Sequence, residues 1–170
     1  MQEKDALRKI YKAEKINGRI WKDFPDVPFN TLLSFIPLEG EVDVRPFMLQ
    51  AQKRGLCVAV PTSDYRYFSI LDSSWEEKIK RLENGTFSVD GPTLDIRNLS
   101  DEKVVILVPA LACTKSGLRL GRGGGFYDRV LSVLSKFPNV KSICVVPKER
   151  IVQTLPEEEH DRRVSMVIGV

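Results

Sequence analysis

The stretch that most constrains this chain is Leu118-Arg119-Leu120-Gly121-Arg122-Gly123-Gly124-Gly125-Phe126-Tyr127-Asp128-Arg129. Four glycines within five positions leave the backbone bare and free to take positive φ. Upstream, Lys103-Val104-Val105-Ile106-Leu107-Val108-Pro109 reads as a buried strand. Downstream, Phe126, Val130, Leu131, Val133 and Leu134 recur at helical spacing. The glycines therefore join a strand to the first turn of a helix. Unpaired N–H groups and a partial positive charge gather there, and Arg119 and Arg122 stand beside them. This combination suits a phosphate.

The run matches neither common nucleotide loop. A Walker loop needs Gly-Lys followed by Ser or Thr, and the dinucleotide fingerprint needs a glycine where Phe126 stands. From spacing alone two other readings stay open: a plain surface loop, and an Arg-Gly segment that binds RNA. A disordered segment of that kind would be repetitive, whereas this run is a single copy between two apolar elements.

A length of 170 residues with 42% hydrophobic content suggests one domain, 1–170, with a sizeable core. The net charge of +3 is too small to imply nucleic acid by itself but suits small anionic molecules. The longest apolar run, Val104 to Cys113, is about half of what a membrane helix needs, and the charged N-terminus has no signal-peptide core. Cys57, Cys113 and Cys144 lack metal spacing and sit in apolar contexts, as reduced thiols of a cytoplasmic protein do. Cys113 has no histidine near it in sequence, which argues against a cysteine nucleophile.

Strands alternate with helices along the chain. A first helix is predicted from Lys4 to about Trp21, with Leu7, Ile10, Ile16 and Ile20 as its apolar stripe and Pro25 and Pro28 ending it. A short strand follows over Thr31 to Ile36. Asp43 can cap a helix with Pro46 in its first turn that runs to Arg54 and stops at Gly55. Leu56 to Val60 reads as a strand halted by Pro61, and Tyr65 to Leu71 as a strand or strand edge. Ser74 to Leu82 is weakly helical, Asn84-Gly85 is a turn, and Phe87 to Leu99 is irregular. The helix from Phe126 runs to about Phe137. Strands at Ser142 to Val146 and Val164 to Val170 follow, with a short helix after Pro147. The pattern predicts an α/β fold with a mostly parallel sheet flanked by helices.

These residues resemble the 5-formyltetrahydrofolate cyclo-ligase family (5,10-methenyltetrahydrofolate synthetase). The resemblance rests on Val108-Pro109-Ala110-Leu111-Ala112 and on Gly117 through Arg129. Supporting marks are Lys4-x-x-Leu7-Arg8, Glu41, Gly55 before an apolar strand, and Leu155-Pro156 before His160-Asp161. The chain departs from the family pattern at Cys113-Thr114, Gly91-Pro92 and Ser165. A divergent homologue acting on another formylated or folate-like substrate is the alternative these departures leave open.

The resemblance implies a fold akin to the sugar-phosphate isomerase and CoA-transferase group. It implies use of ATP and Mg2+ to cyclise 5-formyltetrahydrofolate, with small molecules rather than nucleic acid or membranes as partners. It places Lys4, Arg8, Arg119, Leu120, Gly121, Arg122, Gly123, Gly124, Gly125, Phe126 and Tyr127 on ATP. Ile36, Glu41 and the stretch from Arg122 to Phe126 would meet the folate, and Asp128 and Asp161 the metal. Arg122 is the expected catalytic contact to the transferring phosphoryl group, which a planar fork suits. Lys4 and Arg8 are four apart and share a helix face. By residue chemistry alone the pair also fits a solvated face, Asp128 a helix-start aspartate, Asp161 part of an acidic run, and His160 a structural role.

Overall fold

The computed structural model describes residues 2–12 and 28–170. In chain order its elements begin with helix α1 (Gln2–Lys12), strand β1 (Thr31–Leu33), helix α2 (Arg45–Lys53), β2 (Cys57–Pro61) and β3 (Tyr67–Ile70). Next come β4 (Lys80–Arg81), β5 (Phe87–Ser88), β6 (Thr93–Asp95), β7 (Val104–Val108), β8 (Ala112–Thr114) and β9 (Arg119–Leu120). Helix α3 (Phe126–Leu134), β10 (Val140–Val146), β11 (Ile151–Val152) and β12 (Met166–Gly169) complete it. The predicted continuation of the first helix through Ile16 and Ile20, and its stop at Pro25, lie outside the described residues.

Seven strands form one sheet in the order β12-β10-β7-β1-β2-β3-β6. The run from β12 to β2 is parallel, and β3 and β6 add an antiparallel edge. β7 explains the apolar run that marks the chain's middle. Val105 and Leu107 pack with Phe47, Met48 and Ala51 of α2. Val104, Ile106 and Val108 pack with Val130, Leu131 and Leu134 of α3. A strand covered on both faces needs no polar alternation. Each such side chain contributes roughly 1.5–3 kcal/mol of burial.

β1 lies between β2 and β7, and the chain leaves β1 and β7 in opposite directions through α2 and α3. The loops at the carboxyl ends of these two strands must part, which opens a crevice at the switch point.

Several local expectations change. Asp43 does not cap α2: Val44 occupies that position without a side-chain cap. Asp43 Oδ1 instead accepts from the Arg45 backbone N–H at 3.1 Å and from Arg45 Nε at 2.8 Å. Pro61 ends β2 from within, as its last residue. The weakly helical stretch is a 3-10 turn at Trp75–Lys78 followed by β4. The segment expected to be irregular holds β5, β6 and a 3-10 turn at Ile96–Asn98. Pieces of two or three residues carry no readable period. Their partners, β4 and β3, supply the order. A small second sheet, β11-β8-β9, takes Arg119 and Leu120 out of the glycine loop and into a strand. It also brings Cys113 Sγ to 2.6 Å from Cys144 Sγ, both thiols buried.

Candidate active site

The switch-point crevice holds a cavity of about 780 Å³, and the glycine loop forms one wall of it. Within the loop Gly123 has φ 101° and Gly125 has φ 69°, values that L side chains rarely adopt. Gly121 and Gly124 take no positive φ. Gly125 is the residue before α3 and caps it with no side chain. The first N–H groups of α3 are thus left for another acceptor.

Helix α1 docks on this wall. Lys4 Nζ lies 2.6 Å from Asp161 Oδ2 and 3.5 Å from Glu158 Oε2. Arg8 Nε donates to the Gly121 carbonyl at 2.8 Å, and its guanidinium pairs with Asp5 at 2.7 Å. An added Cβ at Gly123 would come within 3.3 Å of that guanidinium. Arg119 lies over the Tyr127 ring at 5.6 Å, donates to the Pro109 carbonyl at 3.2 Å and sits 3.6 Å from Asp128 Oδ1. Arg122 Nε donates to Glu41 at 2.9 Å, and its Nη2 donates to the Glu39 carbonyl. Glu41 also accepts the Leu38 N–H at 2.9 Å. Arg122 and Glu41, expected to meet phosphoryl group and folate respectively, thus hold each other across the crevice.

Ile36 lines the cavity beside Phe35, both buried. Leu120 does not line it. Adjacent strand residues face opposite ways, so Arg119 faces the cavity while Leu120 is buried with Leu111 and Ala112, against Leu7 and Leu155.

Asp128, His160 and Asp161 offer ligand atoms that all lie within 4.8 Å of one another. Asp128 Oδ1 accepts the Arg162 N–H at 3.1 Å. Burial works to raise the Asp161 pKa. The Lys4 hydrogen bond, the Glu158 N–H and the Lys4 and His160 charges outweigh it and hold the carboxyl below its usual range. Two carboxylates at one cavity edge suit a small hard cation such as Mg2+, which keeps several waters and takes oxygen ligands. Two buried polar atoms of the same wall, the Tyr127 hydroxyl and Arg119 Nε, have no hydrogen-bond partner among the described residues. Burial, then the Glu41 charge, push the Tyr127 phenol far up against the pull of Arg119, so its hydroxyl keeps its proton. It is a donor awaiting an acceptor.

Three features escaped the sequence reading. Arg150, to which the sequence reading gave no role, is fully buried and donates to the Gly40 carbonyl at 2.8 Å. It contacts the Leu111 carbonyl at 3.4 Å as well and so bridges the loops after β1 and β7. His160 joins the carboxylates. The β4–β5 hairpin, signalled only by its Asn84-Gly85 turn, supplies a further wall with Arg81, Thr86 and Phe87.

Fold and cavity define the class: a doubly wound α/β protein with its ligand crevice at the switch point of the sheet. The sequence profile of the 5-formyltetrahydrofolate cyclo-ligase family matches residues 6–170, and the chain belongs to that family. It is 30% identical to the 5-formyltetrahydrofolate cyclo-ligase of Mycolicibacterium smegmatis, over 98% of this chain and 81% of that one. It is 27% identical to the Escherichia coli enzyme of the same name, over 85% and 80%. The solved structure of Aquifex aeolicus 5,10-methenyltetrahydrofolate synthetase shares the fold, with a TM-score of 0.71 and 21% identity over 98% of this chain and 89% of that one.

Proposed function

We propose that the protein, acting as one domain in the cytoplasm, uses ATP and Mg2+ to cyclise 5-formyltetrahydrofolate to 5,10-methenyltetrahydrofolate, releasing ADP and phosphate. One observation carries the reading. A bare-backbone loop, the cations Lys4, Arg8, Arg119 and Arg122, the carboxylates Asp128 and Asp161, and the apolar Phe35 and Ile36 all line one cavity. The formyl group is amide-like, and its oxygen cannot leave unaided. Phosphorylation of that oxygen lets N10 attack the formyl carbon, and phosphate departs.

Such a reaction needs positioning and charge neutralisation more than covalent help. The N–H groups from Gly123 to Phe126 and the guanidinium of Arg119 would receive phosphate oxygens. Arg8 and Lys4 would close over them from α1, and Arg122, pre-aimed by Glu41, would face the transferring group. Asp128 and Asp161 would hold Mg2+, which supplies charge neutralisation on ATP when bound. Phe35 and Ile36 would pack against the folate. The Arg-Gly run reads poorly as an RNA contact here, because it is folded between strand β9 and helix α3 into the wall of a cavity, with the Arg119 side chain only 7% exposed.

Purified protein given 5-formyltetrahydrofolate, ATP and Mg2+ should develop the strong near-ultraviolet absorbance of the methenyl product, and omission of any one component should abolish it. Folate binding without product would move the reading to another formylated substrate.

A further inference from the structure

Five basic side chains other than histidine line the cavity: Lys4, Arg8, Arg81, Arg119 and Arg122. Four have carboxylate partners. Lys4 pairs with Asp161, Arg8 with Asp5, Arg119 with Asp128 and Arg122 with Glu41. Arg81 has none among the described residues. Its guanidinium lies 5.6 Å from the Phe87 ring centroid, and its side chain is exposed. A cation left unneutralised at a cavity wall, backed by an aromatic ring, is equipped for an anionic group attached to something flat.

Its placement gives the anion a position along the ligand. Arg81 ends β4, and the β4–β5 hairpin is tied to the end of β2 by the Ser88 hydroxyl, which donates to the Pro61 carbonyl at 2.6 Å. The glycine loop belongs to the β7 side. In the sheet β7 and β2 are separated by β1, so two spacings of about 4.8 Å set the walls roughly 10 Å apart at the strand ends. A folate whose formyl end meets the glycine loop must extend its aminobenzoyl ring away from that loop. Its glutamate carboxylates then arrive at the hairpin.

We propose that Arg81 is the subsite for the glutamate carboxylates of the folate substrate, with Phe87 against the aminobenzoyl ring. The proposal rests on the folate reading above. Arg81 determines affinity for the tail and takes no part in the chemistry.

The test compares 5-formyltetrahydrofolate with 5-formyltetrahydropteroate, which lacks the glutamate, in wild type, Arg81→Gln and Arg81→Lys. Arg81→Gln should raise KM for the glutamate-bearing substrate about five- to tenfold at low salt, since a charge-assisted contact at an exposed site is lost. The KM for the pteroate should not move, and Arg81→Lys should fall between. The gap should shrink in about 0.5 M salt. Equal KM changes for the two substrates, or none for either, would overturn the subsite. The same pairs are titrated by calorimetry without ATP. A glutamate-specific loss of binding in Arg81→Gln, with no turnover in wild type, would sink the reaction reading and keep the subsite. Turnover with glutamate-blind binding would do the reverse.

Discussion

The glycine-loop wall and the hairpin wall face the same cavity but hold their charges differently. On the loop wall every cation is locked to a partner, and Lys4 and Asp161 are both nearly out of water, with side chains 5% and 8% exposed. On the hairpin wall Arg81 lies over an aromatic ring with no carboxylate partner among the described residues, and the nearby Lys80–Asp90 pair is largely exposed. The first wall is set before a ligand arrives, as phosphoryl transfer needs. The second is polar, solvated and adjustable. Chemistry should therefore respond sharply to changes in the loop wall, and affinity mildly to changes in the hairpin.

The largest effect is expected at Gly123. Valine there meets both φ 101° and the Arg8 guanidinium 3.3 Å from its Cβ. Turnover should fall by about a hundredfold or more, as strain of roughly 1–3 kcal/mol adds to a displaced Arg8. Gly124→Ala is the control: Gly124 has no positive φ, and its Cβ would meet nothing within 4 Å. Its melting temperature should match wild type. Equal losses of turnover and stability in the two variants would mean that the loop wall is not preset.

Next in size is Asp128→Asn. An amide is the weaker ligand, so turnover should drop about tenfold and the Mg2+ requirement should rise, while helix α3 loses at most about 1 kcal/mol of dipole interaction. A magnesium titration of turnover decides it, and superimposable curves would remove Asp128 from the metal site.

Asp161 gives a smaller, pH-dependent effect. Its folded pKa lies below the ordinary carboxyl value of 3.8. Its contribution to stability is therefore complete above that value and is lost as pH falls through the lowered folded one. Urea unfolding should show Asp161→Asn less stable than wild type by a constant margin from about pH 5 to 8, with the gap closing below about pH 4. A gap that widens in acid would contradict the Lys4 pairing.

The smallest effect belongs to the hairpin. Lys80→Ala removes an exposed ion pair and should cost under about 1 kcal/mol, with turnover unchanged. A large loss would erase the contrast between the walls.

The sheet was legible because β7 is an unbroken apolar run, β10 ends in one from Ile143 to Val146, and α3 has a clear helical period. The loop was legible because few backbones carry so many glycines between such elements. The sequence could not reveal which glycines would take positive φ, since that depends on how Arg8 and α3 close on them. It showed Arg122 and Glu41 as separate candidates, because their pairing is created by the crevice itself. Arg150 was hidden for the same reason. Nothing local distinguishes an arginine solvated on a surface from one buried among carbonyls of distant loops. The hairpin strands were too short to show a period, though their turn was plain.

Lys4 and Asp161 are 157 residues apart. A ribosome adding about 5–20 residues per second makes the second roughly 8–30 s after the first. Through that interval α1 has its lysine but not the carboxylate that receives it. The growing chain can assemble β1, β2 and β7 early, yet the loop wall gains its seated lysine only near the end of synthesis, shortly before β12 is made. A protein cut short before residue 161 would lose β12 but keep the rest of its main sheet, and its first helix would hold the Arg8 bond to Gly121 without the Lys4 bond to Asp161.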